Sequence, residues 1–101
     1  MSREELIAIL RRHEQDLKAA GVEHLSLFGS VARGESPTND VDIAVRLASA
    51  FSSGGLEYFG RLEQLETTLG SLLGCEVDVV EEPVRKPRFQ REIDRDRAVA
   101  F

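Results

Sequence analysis

Three short β-type runs, at residues 22–28, 40–47 and 75–80, alternate with stretches of helical periodicity, and this alternation constrains the fold more than any other feature. In the first run, Val22, Leu25 and Leu27 are interrupted by Glu23, His24 and Ser26, a strand pattern that stops at Gly29. The second, "DVDIAVRL", is rich in Val and Ile, and the third, "CEVDVV", follows Gly74. Ser2 and Glu5 stand at capping-box spacing, and Leu6, Ile7, Leu10, Leu17 and Ala20 then recur before Gly21, predicting one helix over 3–20. Phe59, Leu62, Leu65, Leu69, Leu72 and Leu73 predict a second long helix over 55–73. A short helical turn is expected over 30–33, and a last amphipathic helix over 88–99 with Phe89 and Ile93 inward. The segments "ESPTN" and "ASAFSSGG" read as loops, the second the more mobile. The predicted fold class is α/β (α+β): a small mixed sheet of three to four strands flanked by helices.

A chain of 101 residues reads as a single domain over 1–101. That length leaves no room for a separate acceptor-binding domain, so a second substrate is expected to arrive on a partner. The formal charge of −5 argues against general nucleic-acid binding. The charge is uneven, however. Arg85, Lys86, Arg88, Arg91, Arg95 and Arg97 outnumber Glu92, Asp94 and Asp96 near the C-terminal end, which marks either a surface for an anionic partner or a solvated helix face. The single Cys75 excludes an internal disulfide and a Cys-based metal cluster. Neither an apolar signal-peptide core nor a membrane-length apolar run is present, so a cytoplasmic location is expected.

The stretch "FGSVARGESPTNDVDIAV" holds the candidate chemistry. Gly29 and Gly34 have phosphate-loop spacing, but Glu35 stands where that loop needs a lysine, and it would repel a polyphosphate. A different phosphate site fits better. Residues i and i+2 of a strand share a face, so Asp40 and Asp42 point together while Val41, Ile43 and Val45 turn to the core. Two adjacent carboxylates repel unless a cation lies between them, and Mg²⁺ takes hard oxygen ligands together with substrate phosphates. Asp78, between two valines of the third strand, supplies the third carboxylate of a two-metal arrangement, with Glu76 a weaker candidate. Gly29 lets the backbone approach a ligand closely, Ser30 opens a turn that can bind an anion, and Arg33 is placed to meet a phosphate.

The stretch "LSLFGSVARGESPTNDVDIAV" resembles the signature of the DNA polymerase beta-like nucleotidyltransferase superfamily, and more narrowly that of minimal nucleotidyltransferase (MNT) domains. The "VDVV" strand and the "IDRDRAVAF" tail fall where that family places its third strand and closing helix, so the likeness runs from Val22 onward. The resemblance implies the nucleotidyltransferase fold, nucleotide binding by Gly29 and Ser30, and two Mg²⁺ ions held by Asp40, Asp42 and Asp78. It further implies an antitoxin of a toxin–antitoxin system that transfers AMP from ATP to a tyrosine of a HEPN-domain toxin. Two other readings are weighed beside it: an antitoxin acting by binding alone, and a small-molecule nucleotidyltransferase, which the short chain disfavours.

The remaining polar and aromatic residues read as structural. His13 and His24 lack partners at ligand spacing, Phe51 reads as a loop anchor, and Glu35 is expected to pair with a nearby arginine. Tyr58 reads as half-buried packing, with self-modification a remote second role.

Overall fold

In a computed structural model, which describes residues 1–35, 40–52 and 55–101, the strands form one mixed sheet. Its four strands are β1 (Val22–Phe28), β2 (Asp40–Leu47), β3 (Glu76–Glu81) and β4 (Ala98–Val99). Their spatial order is β3-β2-β1-β4, with β1 antiparallel to β2 and β4 and β2 parallel to β3. The helices are α1 (Arg3–Arg12), α2 (Glu14–Ala19), α3 (Gly29–Ala32), α4 (Ser49–Ser52), α5 (Leu56–Leu73) and α6 (Pro87–Asp96). This is the mixed sheet flanked by helices that the alternation predicts.

The two faces of the sheet are buried in different ways. Leu25 and Leu27 of β1, Ile43 and Val45 of β2 and Val77 and Val79 of β3 pack with Leu6, Leu10, Leu17, Leu65, Leu69 and Leu73 of the helices into the main core. On the other face a smaller cluster joins Phe28, Ala44 and Ile93, flanked by Val80, Val84 and Phe89. That second cluster seats α6 on the sheet, with the Phe28 and Phe89 rings edge to face at 5.8 Å between centroids. The outer edge of β3 is partly covered: the Glu66 carboxylate of α5 accepts the Val79 N–H at 3.0 Å.

Several boundaries differ from the sequence expectation. The single helix predicted over 3–20 is two, broken at His13 (φ −103°, ψ 13°), whose N–H reaches back to Leu10 rather than continuing the ladder. The segment from Arg11 to Asp16 carries no apolar side chain, so no packing holds a continuous helix across it. The helix predicted over 88–99 ends at Asp96, and Ala98 and Val99 pair with Leu27 and Ser26 instead. Pairing satisfies the backbone groups of β1's open edge, which further helix would leave bare. The irregular alternation in β1 has a local cause, a bulge between Val22 and His24 that turns both Val22 and Leu25 inward. "ASAFSSGG" contains the short α4, with Phe51 buried against Gly21; Ser53 and Gly54 lie outside the described residues, as does "ESPTN" after Glu35. The α5 prediction needs no revision, and its stop at Gly74 is a left-handed cap (φ 70°).

Candidate active site

The site is built where β1 ends and β2 and β3 begin. Asp42 stands opposite Phe28 on one side and opposite Asp78 on the other, and Asp40 stands opposite Glu76. Cross-strand partners share a face, so Asp40, Asp42 and Asp78 all project from the face that carries α6, away from the main core. The parallel β2–β3 register brings Asp78 beside Asp42, a relation that spacing in the sequence does not supply.

Gly29 explains how close the turn comes to this carboxylate. It has φ 73°, the left-handed region, and a Cβ there would collide with Oδ2 of Asp42. The chain therefore enters α3 directly against Asp42. Ser30 is the second residue of α3 and only half-buried, so its hydroxyl and the first N–H groups of the turn lie next to Gly29.

The electrostatics single out Asp42. Its carboxyl is pushed above the ordinary range, first by burial and then by the negative charges of Asp78 and Asp40, with Arg33 pulling the other way. Among the described residues no three His, Cys, Asp or Glu side chains are gathered into a ready metal cage. The donor chemistry nevertheless fits a hard divalent cation, because these carboxylates repel one another and a cation relieves that repulsion. Asp40, Asp42 and Asp78 are the residues that could hold it.

Arg33 is already engaged. Its Nε donates to Glu35 at 2.7 Å and its Nη1 to Asp96 at 2.6 Å, which ties the end of α3 to the end of α6. These bonds raise the guanidinium's pKa, that from Glu35 most. The pairing of Glu35 with an arginine is the one expected; the part played by Asp96 was not legible.

Beneath α6 lies a polar network, centred on Glu82, that the sequence did not show as one. Glu82 is 5% exposed, and Arg97 donates to its two carboxylate oxygens at 2.8 and 2.5 Å. Arg97 also donates to the Ser26 hydroxyl at 3.1 Å and to Asp94, while Gln90 donates to Glu82 at 2.6 Å. Hydrogen bonds from Arg97 hold the Glu82 carboxyl below its usual range despite its burial. A buried glutamate flanking a proline is the only hint in the sequence, and nothing there names Arg97 as its partner.

A cleft of about 730 Å³ opens on the far side of β2, where Leu6, Val31, Glu35, Val41, Leu73 and Cys75 are among its lining residues, and none of the three aspartates lines it. Cys75 is a half-buried free thiol whose pKa burial raises. Tyr58 is turned away from the aspartates: its hydroxyl donates at 2.5 Å to Glu81, three residues along β3 from Asp78 and of opposite strand parity. Burial first, then this bond, pushes its pKa up to about 12.

Comparison with known proteins now decides the family. The model of the nucleotidyltransferase domain matches residues 5–100. The chain belongs to the nucleotidyltransferase domain family. A solved minimal nucleotidyltransferase is 31% identical, with a TM-score of 0.70 over 97% of this chain and 95% of its own. Two solved toxin–antitoxin structures, a mutant of MntA–HpeT and a complex with AMP-PNP, are 22% and 24% identical; each superposes with a TM-score of 0.64 over 100% of this chain and 73% of the other. At that identity they share the nucleotidyltransferase fold. No functionally curated protein matches. Among the described residues no helix of this family member is long and apolar enough to cross a membrane.

Proposed function

We propose that this nucleotidyltransferase is a cytoplasmic, Mg²⁺-dependent antitoxin that transfers AMP from ATP to a hydroxyl, a tyrosine, of a partner HEPN-domain toxin. The observation that carries the reading is the turn at Gly29: the backbone meets the Asp42 carboxylate with no room for a side chain, and Asp78 stands beside it. A glycine turn of the kind that can receive a phosphate and a carboxylate pair are thereby held against each other, which supports a phosphoryl-transfer reading.

In this reading Gly29 and Ser30 receive the triphosphate through backbone N–H groups and the serine hydroxyl. Two Mg²⁺ ions, held by Asp40, Asp42 and Asp78, would neutralise phosphate charge and lower the acceptor hydroxyl's pKa. The acceptor oxygen forms a bond to the α-phosphorus as the bond to the β-phosphate oxygen breaks. Pyrophosphate leaves, and Asp78, exposed at the rim, is placed to take the acceptor's proton. Arg33 joins the triphosphate only by exchanging Glu35 or Asp96 for phosphate oxygen. The AMP-PNP complex among the structural neighbours and the toxin–antitoxin pairs support the choice of nucleotide and of partner class.

The experiment is label transfer from α-labelled ATP, with Mg²⁺, to a HEPN-domain protein co-expressed with this chain. A labelled tyrosine that disappears with Asp40→Ala/Asp42→Ala supports the reading. If the double variant neutralises the toxin as well as the natural chain does, neutralisation is by binding alone and the catalytic reading fails.

A further inference from the structure

The thirteen lysines and arginines of this chain are not used alike. Arg3, Arg11, Lys18, Arg33, Arg61, Arg95 and Arg97 are each bonded to a carboxylate or a backbone carbonyl. Arg85, Lys86, Arg88 and Arg91 are exposed, and among the described residues none of them makes a side-chain hydrogen bond or an ion pair. They lie within seven residues of one another, at the N-terminal end of α6 and the segment leading into it.

The position matters as much as the charge. α6 lies on the face that carries the aspartates: Phe89, beside Arg88, packs on Phe28, and Phe28 is the register partner of Asp42. The Phe28–Phe89 contact and the Gln90–Glu82 bond hold its N-terminal half, and the Glu82–Arg97 pair and the Arg33–Asp96 bond hold its C-terminal end. Its exposed cations therefore border the site as a fixed surface. They sit on a convex helix end rather than in a cradle, which suits a macromolecule better than a free nucleotide.

We propose that Arg85, Lys86, Arg88 and Arg91 dock an acidic segment of the protein that carries the acceptor hydroxyl. The inference rests on the transferase reading above for the word acceptor, and on charge complementarity for the rest. Among the described residues these four exposed cations stand within seven positions with only Glu92 beside them, on a chain of net charge −5, so a short acidic stretch matches them. A nucleic-acid strand would run from it onto acidic surface. It would also lack a stacking platform, because Phe89 is half-buried against Phe28.

The test is fluorescence anisotropy with the full chain and two labelled probes, a random glutamate–tyrosine copolymer and a single-stranded RNA. The copolymer should bind, and the quadruple variant Arg85→Ala/Lys86→Ala/Arg88→Ala/Arg91→Ala should weaken it roughly tenfold or more, as the loss of several surface ionic contacts predicts. The melting temperature should move little, since these exposed side chains make no hydrogen bond or ion pair among the described residues. The control Arg12→Ala/Arg46→Ala removes two other exposed cations and should weaken binding by no more than about twofold. Equal binding by the quadruple variant and the natural chain overturns the proposal, as does RNA bound more tightly than the copolymer. Anisotropy needs no turnover, so Asp42→Ala should bind the copolymer like the natural chain. A failure of AMP transfer alone would leave the docking surface standing.

Discussion

The two faces of the sheet are made by alternate residues of the same strands, yet they are built for different ends. On one, Leu27, Ile43 and Val79 lie side by side, each less than a tenth exposed, under α1, α2 and α5. On the other, Phe28, Asp42 and Asp78 lie side by side, and among the described residues cover comes from the short α3 and from α6. The first face gains stability from apolar burial at little electrostatic cost. The second gathers carboxylates that repel, and it is held in shape by ion pairs rather than by a deep core. A two-residue period therefore lets one strand build the core with one face and present the carboxylates of the proposed chemistry on the other.

That contrast can be broken most sharply at Asp42. Asp42→Ala should lower the rate of AMP transfer by roughly 10²–10³-fold or more, read from label transfer. Stability should move the other way. A carboxyl whose folded pKa is raised favours the fold below its unfolded value, and that advantage is lost as pH rises through the folded value. At neutral pH the ionised Asp42 thus burdens the native state, so the variant should melt no lower than the natural chain. A lower melting temperature would mean that this face contributes to stability as the other does.

The second test concerns what holds α6 in place. Glu82→Ala leaves Arg97 without its buried partner and should cost about 3–5 kcal/mol in urea unfolding. Glu82 has a lowered folded pKa, so its contribution is present above the unfolded value of 4.5 and lost as pH falls through the folded one. The gap between Glu82→Ala and the natural chain should therefore close as the pH drops below about 4.5. A gap independent of pH would show that packing, not the ion pair, holds the helix.

The smallest effect is expected at Tyr58, on the core side and at the far end of β3. Tyr58→Phe removes one hydrogen bond to Glu81 and should cost about 1 kcal/mol, with AMP transfer unchanged. Loss of transfer in that variant would revive self-modification of this tyrosine.

Much of the fold was legible because its signals are local. The leucine spacing of α5 and its Gly74 stop, the capping box of α1 and the valine-rich β2 needed only neighbours within four residues. The break at His13 was not legible, since nothing in 11–16 opposes a helix; only the absence of packing does. Nor was β4, because Ala98 and Val99 become a strand only when β1's edge is there to pair with them. At the candidate site, the shared face of Asp40 and Asp42 was legible from spacing, whereas the two acids that hold Arg33 divide cleanly. Glu35 is two residues away and was expected; Asp96 is 63 residues away and was not.

The sequence by itself determined that Asp40 and Asp42 share a strand face and that a glycine precedes Ser30, because periodicity and the freedom to adopt positive φ are properties of the residues themselves. Only the tertiary structure decided that Asp78 stands beside Asp42, that Gly29 lies against that carboxylate, and that α6 covers the same face with its cations outward. Register and partner choice depend on which surfaces are buried together, and that is set by contacts between residues tens of positions apart.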